Sequence, residues 1–304
     1  MGKVFSGLKE LPAGMAPDTL TPGCLVLEGG AFRAVYGEGV LDRMMEEGIT
    51  LQSTVGVSAG ALNGFNYLGG NIGRAARINL SLRHDSRYVG LKALKDNQGI
   101  IGFKYAFIDY EKKVEPFNYE RFYKNDRRFV AVCTNLNNGK AEYFEKGVCH
   151  DIFQAIRGSA SMPYLSKPVN VDGIPCLDGG VRVKIPYQWA IDQGYEKIVV
   201  VRTRPRGSRR KESSAETKYA KAFYRKRPEF VEALETSPAR ANREAEELEA
   251  LTDSGRLFTI FPSKDLGIGR VESDMEKLGD WYYLGYNDMG LRMDELRSYL
   301  GIRN

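Results

Sequence analysis

Along the first seventy residues, short apolar runs of strand length alternate with segments of helical period. Cys24-Leu25-Val26-Leu27 is a run of β type, and Gly29-Gly30 comes directly after Glu28. Val35, Val40, Leu41, Met44 and Met45 then recur at spacings suited to one helix face and predict a helix that ends near Gly48. Ser53 to Gly56 predicts a second strand, which passes through Val57-Ser58 into a helix of small residues from Ala61 to Leu68. This succession of strand, loop, helix, strand, turn and helix is the signature of a parallel sheet.

Farther along, Phe129 to Thr134 predicts a buried strand, and Lys140 to Glu145 its hairpin partner across Asn137-Asn138-Gly139. Asp151 to Gly158 predicts a helix. Val169–Val171 and Ile174–Leu177 bracket an Asp172-Gly173 turn and deliver Asp178-Gly179-Gly180. A helix over Pro186–Gln193 precedes the apolar strand Lys197–Arg202. Glu244, Glu246, Glu247 and Glu249 mark a charged helix, Leu257–Phe261 a further strand, and Trp281 to Leu300 a single C-terminal helix. Pro12, Gly14, Pro17 and Pro22 make residues 1–22 an irregular lead-in. The pattern predicts one α/β domain, with residues 206–304 as a helical elaboration packed on it.

Composition narrows this little: 42% hydrophobic and 27% charged residues suit a folded chain with an ordinary core. No apolar stretch approaches the roughly 18–20 residues needed to cross a bilayer. The first fifteen residues carry no apolar core of a secretory signal, so a cytoplasmic location is expected. Cys24 and Cys133 lie in apolar runs and are expected as buried, reduced thiols. With no CxxC pair and only His84 and His150 as histidines, no metal is implied. The net charge of +5 is unevenly spread: residues 202–227 hold eleven Lys/Arg against two acids. Such a segment is suited to peripheral contact with anionic lipid. Tyr219, Phe223 and Tyr224 give it a partly amphipathic helix; the plainer expectation is a solvated linker whose aromatics pack on the core. No recognition motif points to nucleic acid.

The sharpest chemical signal is Gly56-Val57-Ser58-Ala59-Gly60, a G-x-S-x-G pattern between an apolar strand and a small-residue helix. A sharp turn there holds a serine in a strained backbone, and bulky neighbours would clash, hence Gly56 and Gly60. The serine needs a base. Neither histidine follows Asp178, so the usual serine, acid, histidine order fails. His84 sits in a polar loop and His150 at a helix start; each is more readily structural than catalytic. Asp178, at a strand end before two glycines, is the other candidate, since partial burial would raise its pKa into a useful range. Alone, Asp-Gly-Gly reads as an ordinary turn.

Gly29, Gly30, Ala31, Phe32, Arg33 and Ala34 lie between the first strand and the first helix, where backbone N–H groups can stabilise an oxyanion. Arg33 is placed to hold the loop or to meet an anionic head group. A dinucleotide site is not supported, because Ala31 and Ala34 break G-x-G-x-x-G.

Taken in order, Gly29–Ala34, Gly56–Gly60 and Asp178-Gly179-Gly180 resemble the patatin-like phospholipase family. Thr134–Lys140, Ile156–Pro163 and Ile185-Pro186 agree with it, and the resemblance covers about residues 23–205. The tail, including Phe261-Pro262-Ser263-Lys264, is similar to that of a bacterial branch. The resemblance implies a three-layer α/β/α fold with a mostly parallel sheet and a catalytic domain at 23–205. It implies Ser58 as nucleophile, Asp178 as base, and amides near Gly29, Gly30 and Ala31 as the oxyanion hole, with no cofactor. The family usually carries glycines where this chain has Ala31 and Ala34. Alanine serves there if its φ is negative and is strained if φ is positive. The implied activity is hydrolysis of a lipid carboxylic ester. A short-chain esterase or thioesterase with the same dyad, and a catalytically weak lipid-binding protein of the same fold, are the alternatives.

Overall fold

The apolar runs form strands because they are buried on both sides, as parallel sheets require. The computed structural model describes residues 3–97, 99, 101–103, 105, 115–210 and 214–302. Its strands are β1 (Gly14–Met15), β2 (Thr21–Leu27), β3 (Leu51–Val57), β4 (Asn71–Ile72), β5 (Arg128–Asn135), β6 (Ala141–Glu145), β7 (Val169–Val171), β8 (Ile174–Asp178), β9 (Ile198–Val201) and β10 (Phe258–Ile260). Its helices are α1 (Val35–Glu46), α2 (Ala59–Gly69), α3 (Arg74–Leu82), α4 (Leu91–Asn97), α5 (Tyr119–Phe122), α6 (Ile152–Ser159), α7 (Tyr187–Asp192), α8 (Ser214–Phe223), α9 (Pro228–Glu235), α10 (Ser237–Asp253), α11 (Met275–Leu291) and α12 (Met293–Leu300).

The central sheet runs β10-β9-β2-β3-β5-β8-β7, with β6 also on β5. β10 through β5 are parallel; β8, β7 and β6 are antiparallel additions. Alternation along the strands builds two cores. Leu25 and Leu27 face α1, α2, α6 and α11, whereas Cys24 and Val26 face Tyr187 and Ala190 of α7 and Leu248 of α10. This is the expected three-layer α/β/α arrangement. Cys24 and Cys133 are fully buried and unbridged, as their runs imply.

The lead-in is not wholly irregular, because β1 pairs antiparallel with β4. The C-terminal helix departs from expectation. Asp274 caps its start, accepting from the amides of Glu276 and Lys277, six residues before Trp281–Leu300 would begin. It also breaks at Arg292, where φ is −110° and ψ 15°. The Arg292 guanidinium donates to the Thr259 carbonyl at 2.7 Å, which ties the corner to β10. α11 lies close against α1: a Cβ on Gly39 would fall 2.1 Å from the Tyr282 carbonyl oxygen, and one on Gly285 2.0 Å from that of Tyr36.

The basic segment folds back on the acidic face of α10. Arg206 pairs with Asp253, and Arg209 with Glu246 and Glu249. Residues 211–213, and the side chains of 214–218, lie outside the described residues. Of the three aromatics, Tyr224 is buried, while Tyr219 and Phe223 stand about two-thirds exposed at 69% and 67%. No helix among the described residues is long and apolar enough to cross a membrane.

Candidate active site

Sheet register sets the site. In the parallel pairing Val57 of β3 lies opposite Val132 of β5, and in the antiparallel pairing Cys133 lies opposite Asp178 of β8. Ser58 therefore emerges one residue past the end of β3, across β5 from Asp178. Its Oγ donates to Asp178 Oδ2 at 2.7 Å. Ser58 has φ 56° and ψ −126°, the left-handed strain of a strand-to-helix elbow. Its amide donates to Ser159 Oγ at 2.9 Å, and that hydroxyl donates to the Val132 carbonyl at 2.6 Å. The elbow glycines are steric necessities. A Cβ on Gly56 would sit 2.5 Å from the Gly60 carbonyl oxygen, and one on Gly60 2.5 Å from that of Leu27.

Asp178 is 8% exposed. Burial pushes its carboxyl above the ordinary value, against the Ser58 hydrogen bond, the nearby Lys184 ammonium and the Gly180 amide. That amide donates to Oδ1 at 2.7 Å, and Thr134 Oγ1 holds the Asp178 carbonyl at 2.9 Å. Gly179 must lack a side chain, since its Cβ would lie 2.1 Å from the Val132 carbonyl oxygen. His84 Nε2 lies 2.8 Å from the Ser273 carbonyl, and the His150 amide donates to Asp172. Neither ring hydrogen-bonds Ser58 or Asp178.

Gly29, Gly30 and Ala31 form the loop beside Ser58. A Cβ on Gly29 would meet Ser58 Cβ at 2.9 Å, and one on Gly30 would meet Thr203 Oγ1 at 2.8 Å. The amides of these three residues donate to no acceptor among the described residues. Ala34 is relaxed, with φ −71°. Ala31 has φ 50°, the strained alternative for a residue with a Cβ. Ala31→Gly is therefore expected to stabilise the fold by about 1 kcal/mol, or roughly 2 °C in Tm. A thermal melt checks this; a lower Tm would mean that the Ala31 methyl packs favourably in the cleft.

Basic side chains surround this loop. Glu28 is buried with Arg202 Nε at 2.9 Å, the Thr203 amide at 2.7 Å and Arg210 at 3.9 Å. Burial opposes its charge, but Arg202 and Arg210 outweigh burial and hold its carboxyl below the ordinary value. Arg33 falls to about 9, through burial and then the nearby charges of Arg204, Arg210 and Arg270. Lys184 falls to about 7, through burial and then Arg210. Arg33 Nε and Arg204 Nε are buried without a hydrogen-bond partner among the described residues. Of this group the sequence pointed only to Arg33. Lys184, Arg204, Arg210 and Arg270 come from distant segments, and only the excess of charge after residue 202 hinted at any of them.

From Ser58 a cleft runs along α2 past Leu62, Asn63 and Asn66. From 58 to 66 this is about 12 Å of helix axis. Phe32, Ala75, Ile78, Ile101 and Met162 supply apolar walls, and Glu38, Asn79 and Tyr88 add polar groups. The cleft opens to solvent, and its volume is about 70 Å³.

Fold and elbow together define a three-layer α/β/α protein with a G-x-S-x-G serine at the carboxyl edge of its parallel strands. The chain belongs to the patatin-like phospholipase family: residues 25–191 match that family's model, more than half of the chain. Residues 227–301 match a domain of unknown function, DUF6363. The chain is 27% identical over 192 residues to the uncharacterized protein YjjU of Escherichia coli K12, covering 60% of this chain and 52% of that one. It is 27% identical over 162 residues to an uncharacterized NTE family protein of Mycobacterium bovis, covering 53% of this chain and 43% of that one. The chain thus spans about half the length of these relatives. Among solved structures, VipD from Legionella pneumophila is similar at 14% identity and a TM-score of 0.49, over 94% of this chain and 68% of that one.

Proposed function

We propose that the protein is a serine acyl hydrolase that cleaves a lipid carboxylic ester with the Ser58–Asp178 dyad. The observation that carries this reading is the 2.7 Å hydrogen bond from the strained Ser58 Oγ to a buried carboxylate. Asp178 takes the Ser58 proton as Oγ attacks the ester carbonyl carbon. The carbonyl oxygen becomes an oxyanion facing the Gly29, Gly30 and Ala31 amides. Asp178 then returns the proton to the departing alcohol, leaving Ser58 acylated. Water, deprotonated by Asp178, releases the acid and restores the serine. The raised pKa of Asp178 suits both roles.

Arg33 and Arg204, with unpaired buried Nε groups beside the oxyanion loop, suit an anionic head group. Beyond Met162, Tyr164, Leu165 and Phe223 expose apolar surface, and Tyr164 packs edge-on to Phe223 at 5.5 Å. This surface suits contact with a lipid layer. The small cleft volume favours the second reading, a short-chain esterase or thioesterase on the same dyad.

The test is labelling with a fluorophosphonate probe, combined with hydrolysis of p-nitrophenyl esters from short to long chains by wild type and Ser58→Ala. Labelling at Ser58 with turnover rising with chain length supports the lipid reading, and a short-chain optimum supports the second. An unlabelled Ser58, with equal rates in the two proteins, would sink both in favour of a lipid-binding role.

A further inference from the structure

Glu38 stands in the first turn of α1, only 3% exposed, and lines the same cleft as Ser58. It is the one acidic side chain among the described residues of that lining. Asn79 Nδ2 donates to its Oε1 at 2.6 Å, and the Tyr88 hydroxyl donates to Asn79 Oδ1 at 2.8 Å. Its Oε2 is buried with no hydrogen-bond partner among the described residues. Burial, and then Asp42 one turn along α1, push the Glu38 carboxyl well above its ordinary value, which favours its protonated form. Because Oε1 already accepts from an amide, the proton belongs on Oε2. In that form the cleft lining carries an O–H donor without an acceptor among the described residues, and leaving such a group unsatisfied is costly.

A hydrocarbon chain laid along α2 would leave that donor unpaired and shut off from solvent. A chain bearing an oxygen at the right depth would satisfy it. We propose that Glu38 makes the cleft selective for acyl groups that carry a hydroxyl or keto oxygen along the chain, with Oε2 as the contact. This rests on reading the Ser58 cleft as the acyl site, and it adds a substrate class to that reading.

The experiment measures binding without turnover. Ser58→Ala protein is titrated calorimetrically with methyl octanoate and with its hydroxylated isomers, the hydroxyl placed at successive carbons. The expected result is one isomer, or two adjacent ones, bound about tenfold more tightly than the plain ester. Adding Glu38→Leu, which fills similar space without a donor, should abolish that preference. Adding Glu38→Gln should keep it, because the amide can accept from Asn79 and still donate to the ligand. It also guards against a leucine variant that fails to fold. Equal affinities for all isomers would overturn the proposal, showing that water suffices for Glu38. Survival of the preference in a folded Glu38→Leu protein would overturn it too. Selective binding beside an unlabelled, inactive Ser58 would leave this inference standing and remove only the hydrolase reading.

Discussion

Asp178→Asn is expected to lower kcat/KM on an activated ester by a factor between about 10² and 10⁴, the usual worth of a positioned general base, without loss of fold. Asparagine keeps the oxygen that accepts from the Gly180 amide and fits the same space beside Ser58 Oγ. What it loses is the capacity to take a proton. Stability should not fall. Burial raises the native pKa of Asp178, so the folded protein holds that proton more tightly than the unfolded chain does. The ionised group then detracts from stability at every pH above the unfolded value, and the amide carries no such cost. The same shift sets the acid limb of the wild-type profile. Activity should rise with pH through a value above the ordinary 3.8 of an aspartate, because only the carboxylate can act as base. A pH profile of kcat/KM beside thermal melts of both proteins checks the set. Full turnover in Asp178→Asn, or its loss in His84→Ala or His150→Ala, would place the base elsewhere.

Gly60→Ala should produce a large loss of stability. The added Cβ would lie 2.5 Å from the Leu27 carbonyl oxygen and 2.9 Å from that of Glu28. Both are backbone atoms of the β2 edge, so no side chain can swing aside. Either α2 lifts from the sheet or β2 bends, and the oxyanion loop moves with it. The cost is about 3 kcal/mol, the upper end for overpacking, or roughly 6 °C in Tm, with turnover lost as well. Gly255→Ala is the control. Its φ is 74° but nothing lies within 4 Å of a new Cβ, so it should cost only about 1 kcal/mol. Denaturant melts separate the two. Equal losses would mean that the neighbouring backbone gives way and that contact does not make Gly60 necessary.

The strands were legible because burial on both faces leaves unbroken apolar runs, as at Val199-Val200-Val201 and Phe129–Cys133. The elbow was legible because its steric demands are local: Gly56 and Gly60 touch each other and the neighbouring strand. The break at Arg292 was not, since what fixes it is a bond to Thr259 on another element. Glu38 escaped notice for a similar reason. Among Val35, Tyr36, Gly37 and Val40 it reads as the polar face of an amphipathic helix. A lone acid between two glycines in an apolar stretch was the only signal, and α3 and Tyr88 bury it from outside the segment.

By itself the sequence determined the parallel α/β order, the strained serine and the glycine loop, because those properties lie within a few consecutive residues. Tertiary structure alone decided the rest. Sheet register carried Asp178 across β5 to within 2.7 Å of a serine 120 residues earlier. Chain folding brought Arg204, Arg210 and Arg270 around Arg33, and Lys184 beside Asp178. Backbone geometry gave Ala31 a positive φ, and burial left Glu38 Oε2 without a hydrogen-bond partner among the described residues. Each depends on distances between remote segments, and one-dimensional periodicity does not encode them.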